Sequence, residues 1–307
     1  MPSFEPRSTT ALELFRDSGG KAEVVKAIHA AADQKQIATS LARVEKLGVK
    51  NIAQIDRFSS RQMWSWVWQN VKDVRGNVVI DATGFTRELV YMLLFGLSIR
   101  RNTIENIRVF YVPPGERGYV STNQDLPKSK RWLSKGLVGI RSVIGYPGNF
   151  SSEKKLRVIA LAGHETARLY DAIEFLEPNA LSIAAEESNS STVAGAYRFS
   201  KEAVEELKTR IHMPPLETFE FSANSIQLTY ESICQLLDGH GSENLVLLPM
   251  NNKPSSIGAA LAALYNRNAR IVYAVPEHYN PKYSYDSGQP MTFDITDQIH
   301  KATSILT

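Results

Sequence analysis

The chain has 307 residues, 43% of them apolar and 22% charged, with a net charge of +3 at pH 7. A chain of that length buries a substantial core without staples, as one large α/β domain or as two lobes, and so mild a charge does not by itself mark a nucleic-acid binder. The single cysteine, Cys234, excludes an internal disulfide framework and a cysteine-based metal cluster.

The segment Met1 to Arg7 has no apolar run of the secretory type, and the most apolar helical stretch, Leu89 to Leu97, is too short to span a bilayer. A cytoplasmic protein without membrane contact is the expectation. Residues 1–75 read as a mostly helical region. Leu12 to Phe15 suggests a short strand, and Lys21 to Ala32 and Ile37 to Leu47 show helical spacing, the second closed by Gly48. Trp64, Trp66 and Trp68 fall in a helical stretch and are expected to pack this lobe rather than stack on bases.

From Asn77 the pattern alternates. Val78 to Ile80 is a strand, followed by a helix from about Thr86 to Ile99 and a strand from Ile107 to Val112. Arg157 to Leu161 and Leu181 to Ala184 read as strands, Ser200 to Arg210 as a helix, and Thr218 to Phe221 as a strand. The helix Ser225 to Leu237 carries Cys234 on its core side. Asn244 to Leu248, the helix Ser255 to Asn266 and the strand Arg270 to Ala274 complete the series. Continuous aliphatic strands between amphipathic helices predict an α/β fold, a Rossmann-like and mostly parallel sheet covered on both faces, over residues 76–307. The stretch at about 115–150 reads as a long insertion. Arg108-Val109-Phe110-Tyr111-Val112-Pro113 and Arg270-Ile271-Val272-Tyr273-Ala274-Val275-Pro276 echo one another, each after a strand, a polar turn and a helix.

In such a sheet ligands bind beyond the carboxyl ends of the strands, where helix N-termini present free N–H groups. Three turns occupy those places. In Asp81-Ala82-Thr83-Gly84-Phe85-Thr86-Arg87-Glu88, the glycine lets the backbone approach a ligand, and the threonines cap the helix or bond a phosphate oxygen. In Asn251-Asn252-Lys253-Pro254-Ser255, the lysine places an ammonium at a helix start where proline is tolerated, and the asparagines cap or read a base edge. In Gly163-His164-Glu165-Thr166-Ala167-Arg168, the first two polar residues form an acid/base pair or Glu165 simply pairs with Arg168 one turn on. Glu186 and Glu187 follow the next strand, as ligands for ribose hydroxyls or a divalent ion, or as a solvated edge.

The six histidines show no zinc-ligand spacing, and there is no nucleophile elbow, Walker A loop or dinucleotide glycine fingerprint. No metal or cofactor is therefore expected. Lys128, Lys130, Arg131, Lys135 and Arg141, with Tyr119 and Trp132 between them, make the insertion a nucleic-acid track, a solvated excursion or an oligomer arm. The loop from Pro276 to Gly288, with Tyr279, Tyr283 and Tyr285, closes over a ligand or packs on the sheet. The candidate ligand-binding set is Thr83, Gly84, Thr86, Arg87, Gly163, Arg168, Asn251, Asn252, Lys253, Ser255, Tyr273 and Tyr283. The candidate catalytic groups are Asp81, His164, Glu165 and Glu186.

The Asn251-Asn252-Lys253-Pro254 turn at a helix start, followed by Arg270-Ile271-Val272-Tyr273 and a later Tyr-Ser and Gly, resembles the Rossmann-like ligand domains associated with CRISPR systems. Those domains commonly carry a Gly-Thr-Lys-Pro-type turn; Lys253 and Pro254 match it, and Asn251 and Asn252 replace its first two residues. The resemblance implies a nucleotide or cyclic-oligonucleotide ligand, a homodimer, and a role in prokaryotic antiviral defence with output through the N-terminal lobe, the insertion or a separate effector protein. The expectation is a nucleotide-binding sensor or regulatory subunit. The alternative is a hydrolase acting on a nucleotide or nucleic acid, with Asp81, His164, Glu165 and Glu186 at the same rim.

Overall fold

A computed structural model of the chain describes every residue except 1–2, 4, 23–24, 31–33, 51, 116–117, 119–131, 194–195, 211–215, 281, 283, 285 and 304–307. Parts of the expected insertion and two of the loop tyrosines, Tyr283 and Tyr285, thus lie outside the described residues, as do Tyr119, Lys128, Lys130 and Arg131.

The N-terminal region opens with α1 (Thr10–Asp17), β1 (Ile28–Ala30), α2 (Gln34–Lys46), β2 (Ala53–Ile55) and α3 (Ser60–Val71). Two expectations are corrected here. Leu12 to Phe15 is helical, because a four-residue stretch does not fix a period and Glu13 in the first turn suits a helix. Within Lys21 to Ala32, Ile28–Ala30 is a strand, since parallel pairing with Ala53–Ile55 overrides a helical spacing. Gly48 ends α2 as expected, at φ +83°, with its N–H on Glu45 O. Two of the three tryptophans of α3 pack inward as expected: Trp64 and Trp66 lean on the core, and Trp64 lies 5.4 Å from the Phe95 ring, whereas Trp68 is exposed and stacks on Trp64.

The remaining chain carries β3 (Gly76–Asp81), α4 (Arg87–Ile99), β4 (Ile104–Tyr111), β5 (Ser134–Lys135), β6 (Gly139–Pro147), β7 (Leu156–Leu161), α5 (Thr166–Leu176) and β8 (Ala180–Glu186). It continues with α6 (Ala196–Arg210), β9 (Leu216–Phe221), α7 (Ile226–Gly239), β10 (Asn244–Pro249), α8 (Lys253–Tyr265), β11 (Ala269–Val275), β12 (His278–Tyr279), β13 (Met291–Asp294) and α9 (Thr296–His300). The α/β class is as expected: the main sheet has six strands in the order β6-β11-β10-β7-β8-β9, all parallel except β6. Alternate residues of each strand serve different faces. Ile159 and Leu161 of β7 enter the core shared with α7 and α8, whereas Val158 and Ala160 enter the core under α5 and α6. Burial on both faces is what makes these strands continuously aliphatic.

Three features were not anticipated. β3 and β4 do not join the main sheet but form a second, three-stranded one with β13, in the order β13-β4-β3. The strand β13 lies beyond Arg270 to Ala274, which had been expected to be the last strand. Inside the segment expected as an insertion, β6 is the antiparallel edge of the main sheet, and β5 pairs with β12.

The two sheets meet through α4 and α8. Both helices are apolar nearly all round, as buried helices are. Leu89, Leu94 and Leu97 of α4 are fully buried, each contributing about 1.5–3 kcal/mol. α8 approaches α7 through Gly258, where an added Cβ would lie 2.7 Å from Ile226 O and 2.9 Å from Thr229 Cβ. Gly258→Ala is therefore expected to cost about 1–3 kcal/mol in urea unfolding, despite the higher helix propensity of alanine. An unchanged midpoint would mean that α7 and α8 separate without loss.

Candidate functional site

The main sheet has one topological switch point. From β7 the chain runs outward through β8 to β9, then crosses back to place β10 on the other side of β7, with β11 beyond. The connections after β7 and β10 therefore leave in opposite directions, and a crevice opens at their carboxyl ends. Gly163 sets its floor: a Cβ there would lie 2.6 Å from Met250 O and 3.0 Å from Asn251 Cα, so only glycine lets the two strand ends approach.

A cavity of about 40 Å³ lies in this crevice, lined by Arg87, His164, Glu165, Glu186, Asn251 and Asn252 together with Leu133, Thr192 and Val193. At roughly 10–15 Å³ per water, that space holds about three waters or one phosphate-sized group. Asn251, Asn252 and Arg87 are fixed from behind. Asn251 donates to Ala162 O at 2.7 Å and accepts from the Asn252 N–H at 2.7 Å. Asn252 caps α8, accepting from Ser255 N–H at 3.1 Å, and its amide reaches Ala223 O at 2.7 Å and Thr192 Oγ1 at 3.2 Å. Arg87, the first residue of α4, reaches across from the smaller sheet to the carbonyls of Met250 and Asn251.

The ionisable groups are driven apart. Burial alone would push Glu165 up, but Arg168 and Arg87, with hydrogen bonds from Ser134 and Arg168, hold it below the usual carboxylate range. Glu186 goes the other way: burial raises it, and hydrogen bonds from Ser191 and Asn251 offset only part of that. Burial pushes the His164 imidazole down to about 4, with Glu165 opposing and Arg87 adding to the shift, so the ring is neutral at pH 7. Near neutral pH the cleft thus holds an ionised Glu165 bound to Arg168 and a second guanidinium at Arg87, with the Glu186 carboxyl raised from its ordinary value by burial.

Of the four candidate catalytic groups, three line this cavity, and Asp81 stands elsewhere, its carboxylate accepting from Thr83 N–H at 3.0 Å. Of the candidate ligand residues, Arg87, Asn251 and Asn252 line it and Gly163 shapes it. Arg168 sits behind Glu165 and donates to Ala274 O at 3.1 Å. Thr86 caps α4, and Ser255 Oγ turns back to Asn252. Tyr273 is buried with its hydroxyl 2.9 Å from that of Tyr279. Thr83 accepts from Val112 N–H at 3.0 Å, Gly84 is half-buried in the same turn, and Lys253 donates to Thr83 O at 3.2 Å. Tyr283 lies outside the described residues.

Sequence reading missed Leu133, Ser134, Thr192 and Val193. Ser134 arrives on β5 and Leu133 just before it; β5 pairs with β12 and brings the Ser134 hydroxyl onto Glu165. No motif marks them, because their place depends on a two-residue strand. Among the described residues, no group of three or more His, Cys, Asp or Glu is placed to hold a metal ion, and no helix is long and apolar enough to cross a membrane. Neither a protein-family model nor a curated protein matches this chain.

Proposed function

We propose that the chain is a nucleotide-binding sensor or regulatory subunit whose ligand places one phosphate in the crevice between β7 and β10. The observation that carries this reading is the convergence of Arg87, His164, Glu165, Glu186, Asn251 and Asn252 on one small cavity at the topological switch point. The guanidiniums of Arg87 and Arg168, and the burial that disfavours the charged form of Glu186, favour an anion. Glu186 and the Asn251 amide suit ribose hydroxyls or a base edge. The enclosed space takes a single phosphate, so the remainder of the ligand lies over the open side of the cleft, near Leu133, Thr192 and Val193. The resemblance of the Asn251-Asn252-Lys253-Pro254 turn to CRISPR-associated ligand domains extends the reading to a cyclic oligonucleotide, a homodimer, a separate effector and prokaryotic antiviral defence.

A thermal-shift series with mononucleotides, dinucleotide cofactors and cyclic oligonucleotides tests it. A ligand at a hundred times its dissociation constant stabilises the native state by about 2.7 kcal/mol. The shift is expected in wild type and in Lys253→Met and absent in Arg87→Met. The reading is lost if none of these ligands shifts the wild type.

A second reading, hydrolysis of a nucleotide, is favoured by one observation. Glu165 and Glu186 share a cavity but are shifted in opposite directions, as the base and the acid of such a pair are, with a neutral imidazole between the same walls. Chromatography of the bound ligand separates the two: a sensor returns it intact, whereas an enzyme returns products that Glu186→Gln no longer makes.

A further inference from the structure

Two units of the chain are built alike. β3, α4 and β4 form one, with β13 antiparallel beyond β4; β10, α8 and β11 form the other, with β6 antiparallel beyond β11. They pack through α4 and α8, and each sends the first residue of its helix to the opposite turn. Arg87 donates to the carbonyls of Met250 and Asn251, while Lys253 donates to the carbonyl of Thr83. Each cation therefore stands at the strand ends of the other unit.

The place beside Arg87 is the cleft described above. The equivalent place beside Lys253 is filled by the chain itself. The residues at the start of the 3-10 turn Pro6–Thr9 bring an ion pair there, with Glu5 5% and Arg7 2% exposed. Arg7 Nε donates to Glu5 Oε2 at 2.6 Å, and its guanidinium also reaches the carbonyl of Val112, the residue after β4. Val112 N–H in turn donates to Thr83 Oγ1 at 3.0 Å, which ties the pair to the turn that Lys253 contacts. Ser284 Oγ donates to the same Glu5 carboxylate at 3.3 Å. Lys253 is half-buried, with its ammonium enclosed, and burial pushes it down to about 7; the Glu5 charge opposes that shift, and Arg7 and Arg87 add to it.

A carboxylate leaves water only where charges and donors replace its hydration. Glu5 finds Arg7, Ser284 and the field of Lys253 at the one point in the smaller sheet that matches the cleft. We infer that this point is a second anion site for a phosphate-bearing small molecule, closed by the N-terminal segment, with the Glu5 carboxylate standing where the ligand's phosphate would bind. Displacement of Glu5 opens it.

The test is calorimetric titration of the full chain with inorganic phosphate. Glu5→Gln keeps the side-chain shape, removes the internal anion and is expected to bind phosphate at least about tenfold more tightly than wild type. The double variant Glu5→Gln/Arg7→Met leaves neither member of the buried pair unpartnered and is expected to keep part of the gain on Lys253 alone. Glu5→Gln/Lys253→Met is expected to lose it. Absence of any gain in both of the first two variants, or a gain that survives loss of Lys253, overturns the assignment and leaves Glu5 and Arg7 as a structural ion pair.

Discussion

Replacing Arg168 with methionine is expected to lower the unfolding free energy by about 3–5 kcal/mol, as breaking a buried ion pair from one side does. The side chains of Arg168 and Glu165 are 3% and 9% exposed, and the arginine also satisfies the carbonyl of Ala274 at the end of β11. Without it, Glu165 keeps Ser134 and the field of Arg87 but loses its principal counter-charge. The double variant Arg168→Met/Glu165→Leu should recover most of the loss, because it removes the stranded charge along with its partner. Acid titration gives an independent sign. Glu165 has its folded value depressed, so its contribution is complete above the unfolded carboxylate value and disappears as pH falls through the folded one. Urea midpoints of the wild type should therefore fall on the acid side, and this slope should flatten in Arg168→Met. Equal stability of wild type and Arg168→Met at neutral pH would show that the pair is not what fixes the cleft wall.

The strands and helices of the main sheet were legible because burial on both faces writes itself as unbroken aliphatic runs, as in Leu245 to Leu248 and Ile271 to Val275. What the runs do not carry is which sheet a strand joins. Val78-Val79-Ile80 reads like Leu181 to Ala184, yet β3 pairs only with β4 among the described strands, whereas β8 sits between β7 and β9. That difference is decided by packing of α4 on α8, between residues more than 150 positions apart, such as Arg87 and Asn251. The edge strand β6 was hidden for a related reason: its half-exposed pattern from Gly139 to Pro147 lacks the aliphatic signature of the interior strands. Site residues at or just after strand ends, His164, Glu165, Glu186, Asn251 and Asn252, were readable from position alone. Ser134 and the Glu5–Arg7 pair were not, since each acquires its partners through contacts between distant parts of the chain. The same limit explains Lys253. Its place at a helix start was legible, but the direction of its ammonium, toward Thr83 rather than into the cleft, depends on the second sheet.

Glu186→Gln should separate stability from function in the cleft. Glu186 is 2% exposed at the end of β8, and burial raises its carboxyl above the ordinary range despite hydrogen bonds from Ser191 and Asn251. A carboxyl raised in the fold binds its proton more tightly there than in the unfolded chain. Native stability is then greatest below the unfolded value and declines as pH rises through the folded one. Glutamine keeps the shape and a hydrogen-bonding carbonyl but never ionises. The variant should therefore exceed wild type by about 0.5–2 kcal/mol at neutral pH, the scale of gains found where a site is strained for function, and the advantage should vanish in acid. A structural glutamate would show the reverse: its replacement would cost stability at every pH, because one of the two carboxylate oxygens that accept from Ser191 and Asn251 becomes an amide donor. If the gain appears and nucleotide turnover is lost while the thermal shift persists, Glu186 is the proton donor of a hydrolase. If the gain appears and the thermal shift itself is lost, the carboxyl is a recognition group and the sensor reading holds.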